Sequence, residues 1–415
     1  MTQNIQSTWQ SRIKALGPGL LVASAAVGGS HLIASTQAGA LYGWQLAIII
    51  ILANVLKYPF FRFSVDYTMQ SGKSLIEGYA QKSKAYLWAF VILSVTSATI
   101  STGALALLTA SILKMALPFE IAMPVLMVAL MAVTVAIVLG GHFKVLDKIT
   151  KVIMFALTLS TVAAVVVAMF KGSQMQADFI EASPWNLASL GFVVALMGWM
   201  PAPLEVTAAN SMWILAKQKE GKTSLKDAIF DFDLGFWTSA VLAVIFLALG
   251  VLVQYGNGEE VKLQGGAYVG QLINMYAATI GEWSRLLVIF IAFACMFGTL
   301  LTVVDLYGRM LAESQRLILR NTYSRKVMAF WSLYSAITGL ILVLAFKGAL
   351  GEMLNFAMIA AFLSAPAYAW LNYSLVRQER EVKISSGLHI LALLGLVYLT
   401  GFALLFLLHH FGLLA

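Results

Sequence analysis

Long apolar stretches separated by short polar segments dominate this chain. Eleven of them reach the roughly 20 residues that a helix needs to cross about 30 Å of hydrocarbon. They lie near residues 15–41, 44–68, 86–114, 121–141, 149–170, 186–214, 230–254, 283–308, 326–346, 350–375 and 387–412. The pattern therefore predicts an all-α polytopic membrane protein with 11 transmembrane helices.

Two of these stretches contain residues that interrupt a helix. In the first, Gly28 and Gly29 each lower helix propensity by about 1 kcal/mol, and Ser30 is a good N-cap for a half-helix that restarts at His31. In the sixth, the Pro-Ala-Pro sequence at 201–203 removes two backbone donors. Paired breaks of this kind indicate the substrate site of a secondary transporter. For the first break, close glycine packing between two helices is the alternative.

The positions of the breaks also predict the internal architecture. Breaks in the first and sixth spans favour two inverted repeats, about 15–170 and 186–375, followed by an extra helix at 387–412. The longest polar connections lie near 62–85, 215–229 and 255–282, and none is long enough for a separate domain. We therefore expect residues 1–415 to form a single transmembrane transporter domain.

Composition supports a membrane protein and excludes several other classes. The chain is 60% hydrophobic and 11% charged, whereas soluble domains carry roughly 25% charged residues. The single cysteine, Cys295, excludes disulfides and a multi-cysteine metal site. Histidines are few, and His31 is the one near the centre of the predicted fold. We therefore expect neither an enzyme nor a bound cofactor.

Lysine and arginine positions predict the orientation. With the N-terminus in the cytoplasm, 21 of these residues fall in cytoplasmic segments and 5 in outer segments, while Lys57 lies within the second span. The positive-inside rule then places the C-terminus outside. The net charge of +8 thus reflects orientation and not nucleic-acid binding. We expect a monomer in a bacterial inner membrane, whose partners are the lipid bilayer and a small transported solute or metal ion.

Side chains near the two breaks are candidate ligands for a cation. His31 would lie at a half-helix N-terminus, where the dipole favours the neutral imidazole that a metal needs. Met200 offers a thioether, Glu205 a carboxylate, and the unwound segments offer carbonyls. This set suits Mn²⁺ or Fe²⁺ better than Na⁺. The alternatives are a hydrogen-bonded structural His31 and a Glu205 that only caps the restarted half-helix.

The eighth span carries further polar residues at helical spacing. Thr302 and Asp305 are candidates for a polar path because ionisable groups within a span are functional candidates by default. Asp305 and Arg309 are four residues apart, however, and can pair with each other without any substrate.

Residues 17–44 resemble the first span of the Nramp family of proton-coupled Mn²⁺/Fe²⁺ transporters. The matches at the family's spacing are Gly17-Pro18, Ala38-Gly39-Ala40 and Tyr42-Gly43-Trp44, with further similarity at Gly72–Leu75 and Met200-Pro201. The resemblance covers most of the chain and implies the leucine-transporter type of inverted repeat with broken helices 1 and 6.

The chain departs from this family in the metal motif. The family's Asp-Pro-Gly-Asn falls on Gly28-Gly29-Ser30-His31, so both metal-binding side chains are replaced. Met200 remains, the family's metal-contacting carbonyl falls near Met197, and its histidine falls on Ala202. Glu205 is the nearest replacement for the lost anionic ligand. Because the family's acid and histidine are both missing, proton coupling of the family type is expected to be weak or absent.

Three functions follow from this resemblance. The first is a divergent Nramp-related transporter that moves a divalent metal by alternating access through a rebuilt site of His31, Met200 and Glu205. The second is a transporter of a small non-metal solute, held by the half-helix N-termini at 29–31 and 203–205. The third is a sensor that no longer transports.

Overall fold

The computed structural model describes residues 8–141, 143–221, 223–263, 265–346 and 350–414, in which every regular element is helical. The α-helices are α1 (Trp9–Ala15), α2 (Pro18–Ala26), α3 (Thr36–Tyr42), α4 (Ala47–Ser71), α5 (Leu75–Lys82), α6 (Lys84–Ala116), α7 (Met123–Gly140), α8 (Phe143–Lys171), α9 (Leu190–Trp199), α10 (Val206–Glu220), α11 (Leu225–Val253), α12 (Gly265–Ile280), α13 (Arg285–Leu319), α14 (Arg325–Ala345), α15 (Leu350–Gln378) and α16 (Ser386–His410). The prediction of an all-helical membrane protein is confirmed.

Eight helical segments in the described residues are long and apolar enough to cross a membrane. They are Ser30–Ser71, Lys84–Ala116, Met123–Gly140, Leu225–Val253, Glu282–Leu319, Arg325–Ala345, Gly351–Gln378 and Ser386–His410. The sixth predicted span is divided into α9 and α10, which have 10 and 15 residues and so fall short of a full crossing. The count of eleven spans stays a prediction.

The first helix is broken where the glycines predict. Helix α2 ends at Ala26, Val27 is extended with ψ of 90°, and a π-helix from Ser30 to Ser35 leads into α3. The predicted N-cap role of Ser30 is wrong. Its hydroxyl donates back to the carbonyl of Ala26 at 2.7 Å, because the restart begins as a wide π-turn with Gly29 at the cap position.

The sixth helix is broken at its two prolines. Helix α9 ends at Trp199, Met200 is extended with ψ of 123°, and the Met200–Pro201 peptide bond is cis. Helix α10 starts at Val206, with Glu205 at the N-cap position. The side chain of Glu205 makes no capping hydrogen bond, so the alternative in which it only caps the half-helix is wrong.

Helix α11 holds the broken first helix in place. The Asp231 carboxylate accepts hydrogen bonds from the amides of Gly17 and Gly19 at 2.9 and 2.6 Å, which caps α2. Gly19 and Gly235 let the two backbones touch, since a methyl group on Gly235 would overlap the carbonyl oxygen of Gly19. Such contacts between small residues are a main source of helix packing in membranes.

Part of the outer connection at 255–282 is a helix and not an irregular loop. Helix α12 buries Tyr268, Leu272 and Tyr276, which recur every four residues on one face. The Tyr276 hydroxyl lies 2.6 Å from that of Thr161 on α8. These buried residues form one face of α12, which packs on the bundle. The polar residues between them obscure this helix in the sequence.

Candidate functional site

A small cavity lies between the two helix breaks. Its volume is about 40 Å³, room for about three water molecules. Its walls come from both breaks, from α6 and from α13. Lining residues include Gly28, Gly29, Ser30, Ser101, Trp199, Pro201, Ala202, Pro203, Glu205, Thr299 and Tyr307. Of the predicted site residues, the structure therefore brings the first-break segment 28–30 and Glu205 to one place.

Glu205 is the acidic residue of this cavity. It is 1% exposed, and its Oε1 accepts a hydrogen bond from the Tyr307 hydroxyl at 3.0 Å. Among the described residues, its Oε2 has no hydrogen-bond partner, and neither has the indole Nε1 of Trp199, which also lines the cavity. Buried polar atoms are seldom left unpaired, so these two are the chief candidates to bind a ligand.

His31 faces away from the cavity, contrary to its predicted role as a ligand. Its Nε2 lies 2.9 Å from the carbonyl oxygen of Ser239 on α11, and its Nδ1 lies 2.8 Å from the hydroxyl of Ser30. The ring packs edge-on against Phe246. A nitrogen that faces a carbonyl carries the proton and has no lone pair for a metal. These contacts agree with the alternative in which His31 is a hydrogen-bonded structural residue.

The two methionines do not line the cavity either. Met197 and Met200 are fully buried, and the thioether of Met197 accepts a hydrogen bond from Tyr398 at 2.6 Å. The structure therefore does not bring His31, Met200 and Glu205 together as a metal site. In the part of the chain that it describes, no group of three His, Cys, Asp or Glu side chains is placed to hold a metal.

A lysine side chain binds the carbonyl oxygens at the break in the sixth span. The Nζ of Lys57 on α4 donates to the carbonyl oxygens of Met197 at 2.6 Å and Gly198 at 3.1 Å. These groups belong to the last turn of α9, and Met197 is the residue whose carbonyl the family resemblance placed on a metal. A side chain of the protein thus takes the position predicted for a cation.

The carbonyls at the first break are bound in a similar way by uncharged groups. Ser30 donates to Ala26, and the thiol of Cys295 on α13 donates to the carbonyl of Val27 at 3.3 Å. Four carbonyl groups at the two breaks therefore have side-chain donors within the protein itself.

The predicted polar path on α13 lies on a neighbouring face of the helix. The cavity face is formed by Thr299, Val303, Leu306 and Tyr307. Thr302 donates to the carbonyl of Gly298 at 2.9 Å, and Asp305 binds Arg309 at 2.6 Å. Since each residue turns the helix by about 100°, Thr302 and Asp305 are rotated away from the cavity. Neither residue lines this cavity, and the alternative ion pair between Asp305 and Arg309 is present, so the polar path stays a prediction.

A larger cavity of about 1070 Å³ lies at the end of the molecule predicted to be cytoplasmic. Charged residues line it, among them Lys217, Lys219, Glu220, Arg309, Glu313 and Arg316. We call it the vestibule. Helix α13 passes from the small cavity at Thr299 to the vestibule, where Arg309, the partner of Asp305, is one of the lining residues.

Several residues of the site were missed in the sequence. Ser101 and Tyr307 carry no local signal, because their place in the cavity depends on how distant helices pack. Trp199 belongs to the predicted break at 199–203, but the sequence does not show that the indole faces the cavity. Lys57 did carry a local signal. A lysine within a membrane span is a functional candidate by default.

Comparisons with known proteins establish the fold. No family model matches the chain. A protein of Pasteurella multocida (strain Pm70), described as uncharacterized, is 53% identical over 417 residues, which cover 99% of this chain and 96% of the relative.

Among solved structures, the manganese transporter of Eremococcus coleocola aligns with a TM-score of 0.72 at 15% identity, over 97% of this chain and 88% of that one. A nucleobase-cation-symport-1 family transporter aligns at 0.59 and 14%, over 96% and 94%. A Na⁺-coupled sialic acid symporter aligns at 0.58 and 13%, over 94% and 89%. None of the three is described as an enzyme. The predicted leucine-transporter type of fold is confirmed, while membership of the Nramp family stays a prediction.

Proposed function

We propose that this chain, which belongs to one family with the Pasteurella multocida protein, is a secondary-active transporter of a small polar solute. The paired breaks and the cavity between them support alternating access around that cavity. The fold, shared with a manganese transporter and two symporters, supports the same class of function. We place it in a bacterial inner membrane, and the distribution of lysine and arginine supports a cytoplasmic N-terminus.

The main support for a non-metal cargo is that side chains of the protein already bind the carbonyl groups at the breaks. A divalent cation needs oxygen ligands and fixed negative charge to replace its water at mid-membrane. Lys57, Ser30 and Cys295 already donate to four of those carbonyls. Among the described residues that line the cavity, Glu205 is the one acidic group. One carboxylate is a poor site for Mn²⁺ or Fe²⁺, the cargo that the resemblance implied.

The cavity walls favour a compact solute with both apolar and polar parts. Much of the lining is apolar, with hydroxyls from Ser101 and Thr299. The unpaired Oε2 of Glu205 can accept a hydrogen bond, and the Trp199 indole can donate one. A solute larger than a few water molecules requires the broken helices to part, and the vestibule provides a route from one side.

Ligand binding to the purified protein tests this proposal. Thermal unfolding in detergent is measured with a panel of small amides, amino acids, carboxylates and nucleobases, and separately with MnCl₂, FeCl₂ and MgCl₂. We expect at least one organic solute to raise Tm in a saturable way, since a ligand that binds only the folded state stabilises it. We expect no saturable effect of the metals up to millimolar concentration.

Variants of one carboxylate locate the binding. Glu205→Gln should abolish the stabilisation by the solute, whereas Glu381→Gln, a change at an exposed glutamate, should leave it intact. Uptake of the same solute into proteoliposomes then tests transport itself. Saturable binding of Mn²⁺ that Glu205→Gln removes would overturn the non-metal cargo and favour the metal.

A further inference from the structure

Lys57 lies in the middle of a predicted span, and its side chain is buried. Its side chain is 0% exposed on α4, and Nζ reaches across to two carbonyls of α9. The carbonyl positions are fixed from the other side, since Gly198 packs directly on the backbone of Met358 in α15. The amine is therefore held between rigid elements.

A lysine at this depth is costly, so its charge needs a reason. A lysine near the centre of a membrane helix is expensive to insert, because its charge loses the water that would solvate it. Where this chain needs only a hydrogen bond at a break, it uses the neutral groups of Ser30 and Cys295. A neutral donor would have served at the sixth break as well if hydrogen bonding were the whole requirement.

The surroundings of Lys57 suit a cation. The carbonyls of Met197 and Gly198 are at the C-terminal end of α9, where the helix dipole is negative. In transporters with discontinuous helices, unwound carbonyls and half-helix C-termini of this kind coordinate the coupling ion.

We infer that the Lys57 ammonium is a tethered substitute for a bound metal or alkali cation at the sixth break. This inference rests on the proposed transport function and adds that the chain needs no inorganic cation at this place. The amine joins α4 to the C-terminal end of α9 and stabilises the break permanently, whereas a free ion would do so only when bound.

Cation-dependent thermal stability tests the substitution. The full-length protein in detergent is unfolded in choline chloride, NaCl, KCl or methylammonium chloride at equal ionic strength. For the wild type we expect the same Tm in all four salts. Lys57→Ala should lower Tm in choline by about 5 °C or more, and Na⁺ or methylammonium should restore part of that loss in a saturable way.

Two further variants act as controls. Lys383→Ala removes an exposed lysine and should behave as the wild type in every salt. Lys57→Met fills the space without a charge and should remain at the lower Tm whatever the salt. If Lys57→Ala does not yield folded protein, Lys57→Gln, which keeps a hydrogen-bond donor, is measured with the same salts and should also respond to Na⁺.

Three results would overturn the inference. The first is a wild-type Tm that depends on Na⁺. The second is a neutral Lys57 variant with the wild-type Tm. The third is a lowered Tm in Lys57→Ala that no cation restores, which would make Lys57 a hydrogen-bonding cap alone. If only Lys57→Gln folds, the same result in that variant would overturn the inference. Because the measurement needs no solute, it stands apart from the uptake assay, whose failure would refute the proposed function and leave the cation result in place.

Discussion

Single residues at the breaks have contacts that differ from the roles their positions suggest. His31 falls on a metal-binding position of the Nramp motif, yet its ring joins the first helix to α11 through Ser239 and Phe246. The same is true of Met197, whose carbonyl is bound by Lys57. In both cases a protein group makes the contact that the resemblance predicted for a metal.

Replacement of His31 should therefore affect folding stability and not metal affinity. His31→Ala removes a buried side chain and leaves the Ser239 carbonyl without this donor, which costs about 1–3 kcal/mol. We expect a lower Tm and an unchanged, undetectable calorimetric response to Mn²⁺. His389→Ala, at a partly exposed position on α16, is the matched control. A wild type that binds Mn²⁺ and loses it in His31→Ala would contradict this assignment.

Between helices, glycines set how closely the broken first helix approaches α11. Two pairs do this, Gly19 with Gly235 and Gly39 with Gly250, and at each a methyl group would overlap backbone of the opposing helix. Polar contacts from Asp231 and Ser239 accompany them. Helix α11 therefore fixes both halves of the first helix relative to the cavity.

A methyl group at this contact should be strongly destabilising. Gly235→Ala forces the backbones of α2 and α11 apart, and overpacking of this kind costs typically about 1–3 kcal/mol. Gly401→Ala is the matched control, because nothing lies within 4 Å of the added methyl on α16. Its higher helix propensity should leave stability unchanged or slightly raised. Equal Tm values for the two variants would refute the close contact.

In the whole molecule, helices α10 and α13 both extend from the cavity to the vestibule. Helix α10 starts beside the cavity at Glu205 and ends at the vestibule with Lys217 and Lys219. The charged vestibule lies on the side where lysine and arginine accumulate. In this conformation the larger opening is therefore on the predicted cytoplasmic side.

Cysteine labelling in cells tests that orientation. Lys219→Cys at the vestibule should react with a membrane-impermeant maleimide only after permeabilisation, whereas Glu259→Cys in the exposed connection after α11 should react in intact cells. The native Cys295 is buried and should give little background. The reverse labelling pattern would show that the charge rule fails for this chain.

The sequence predicted the features that depend on local chemistry. Gly28-Gly29 and the prolines at 201 and 203 prevent regular helix by themselves, so both breaks were found. The direction of a side chain across a break depends on packing against distant helices. For this reason the sequence predicts His31 in the site and does not predict Tyr307. The pairing of Lys57 with Met197 joins residues 140 positions apart and could not be read from spacing.

The resident amine at the sixth break has an energetic consequence for transport. A symporter accumulates its cargo because an ion descends its own electrochemical gradient in the same cycle. A cation attached to the backbone cannot leave the membrane and contributes no such work. On the proposed function, accumulation of the cargo must then be driven by an ion that binds elsewhere in the protein or by the membrane potential acting on the cargo's own charge.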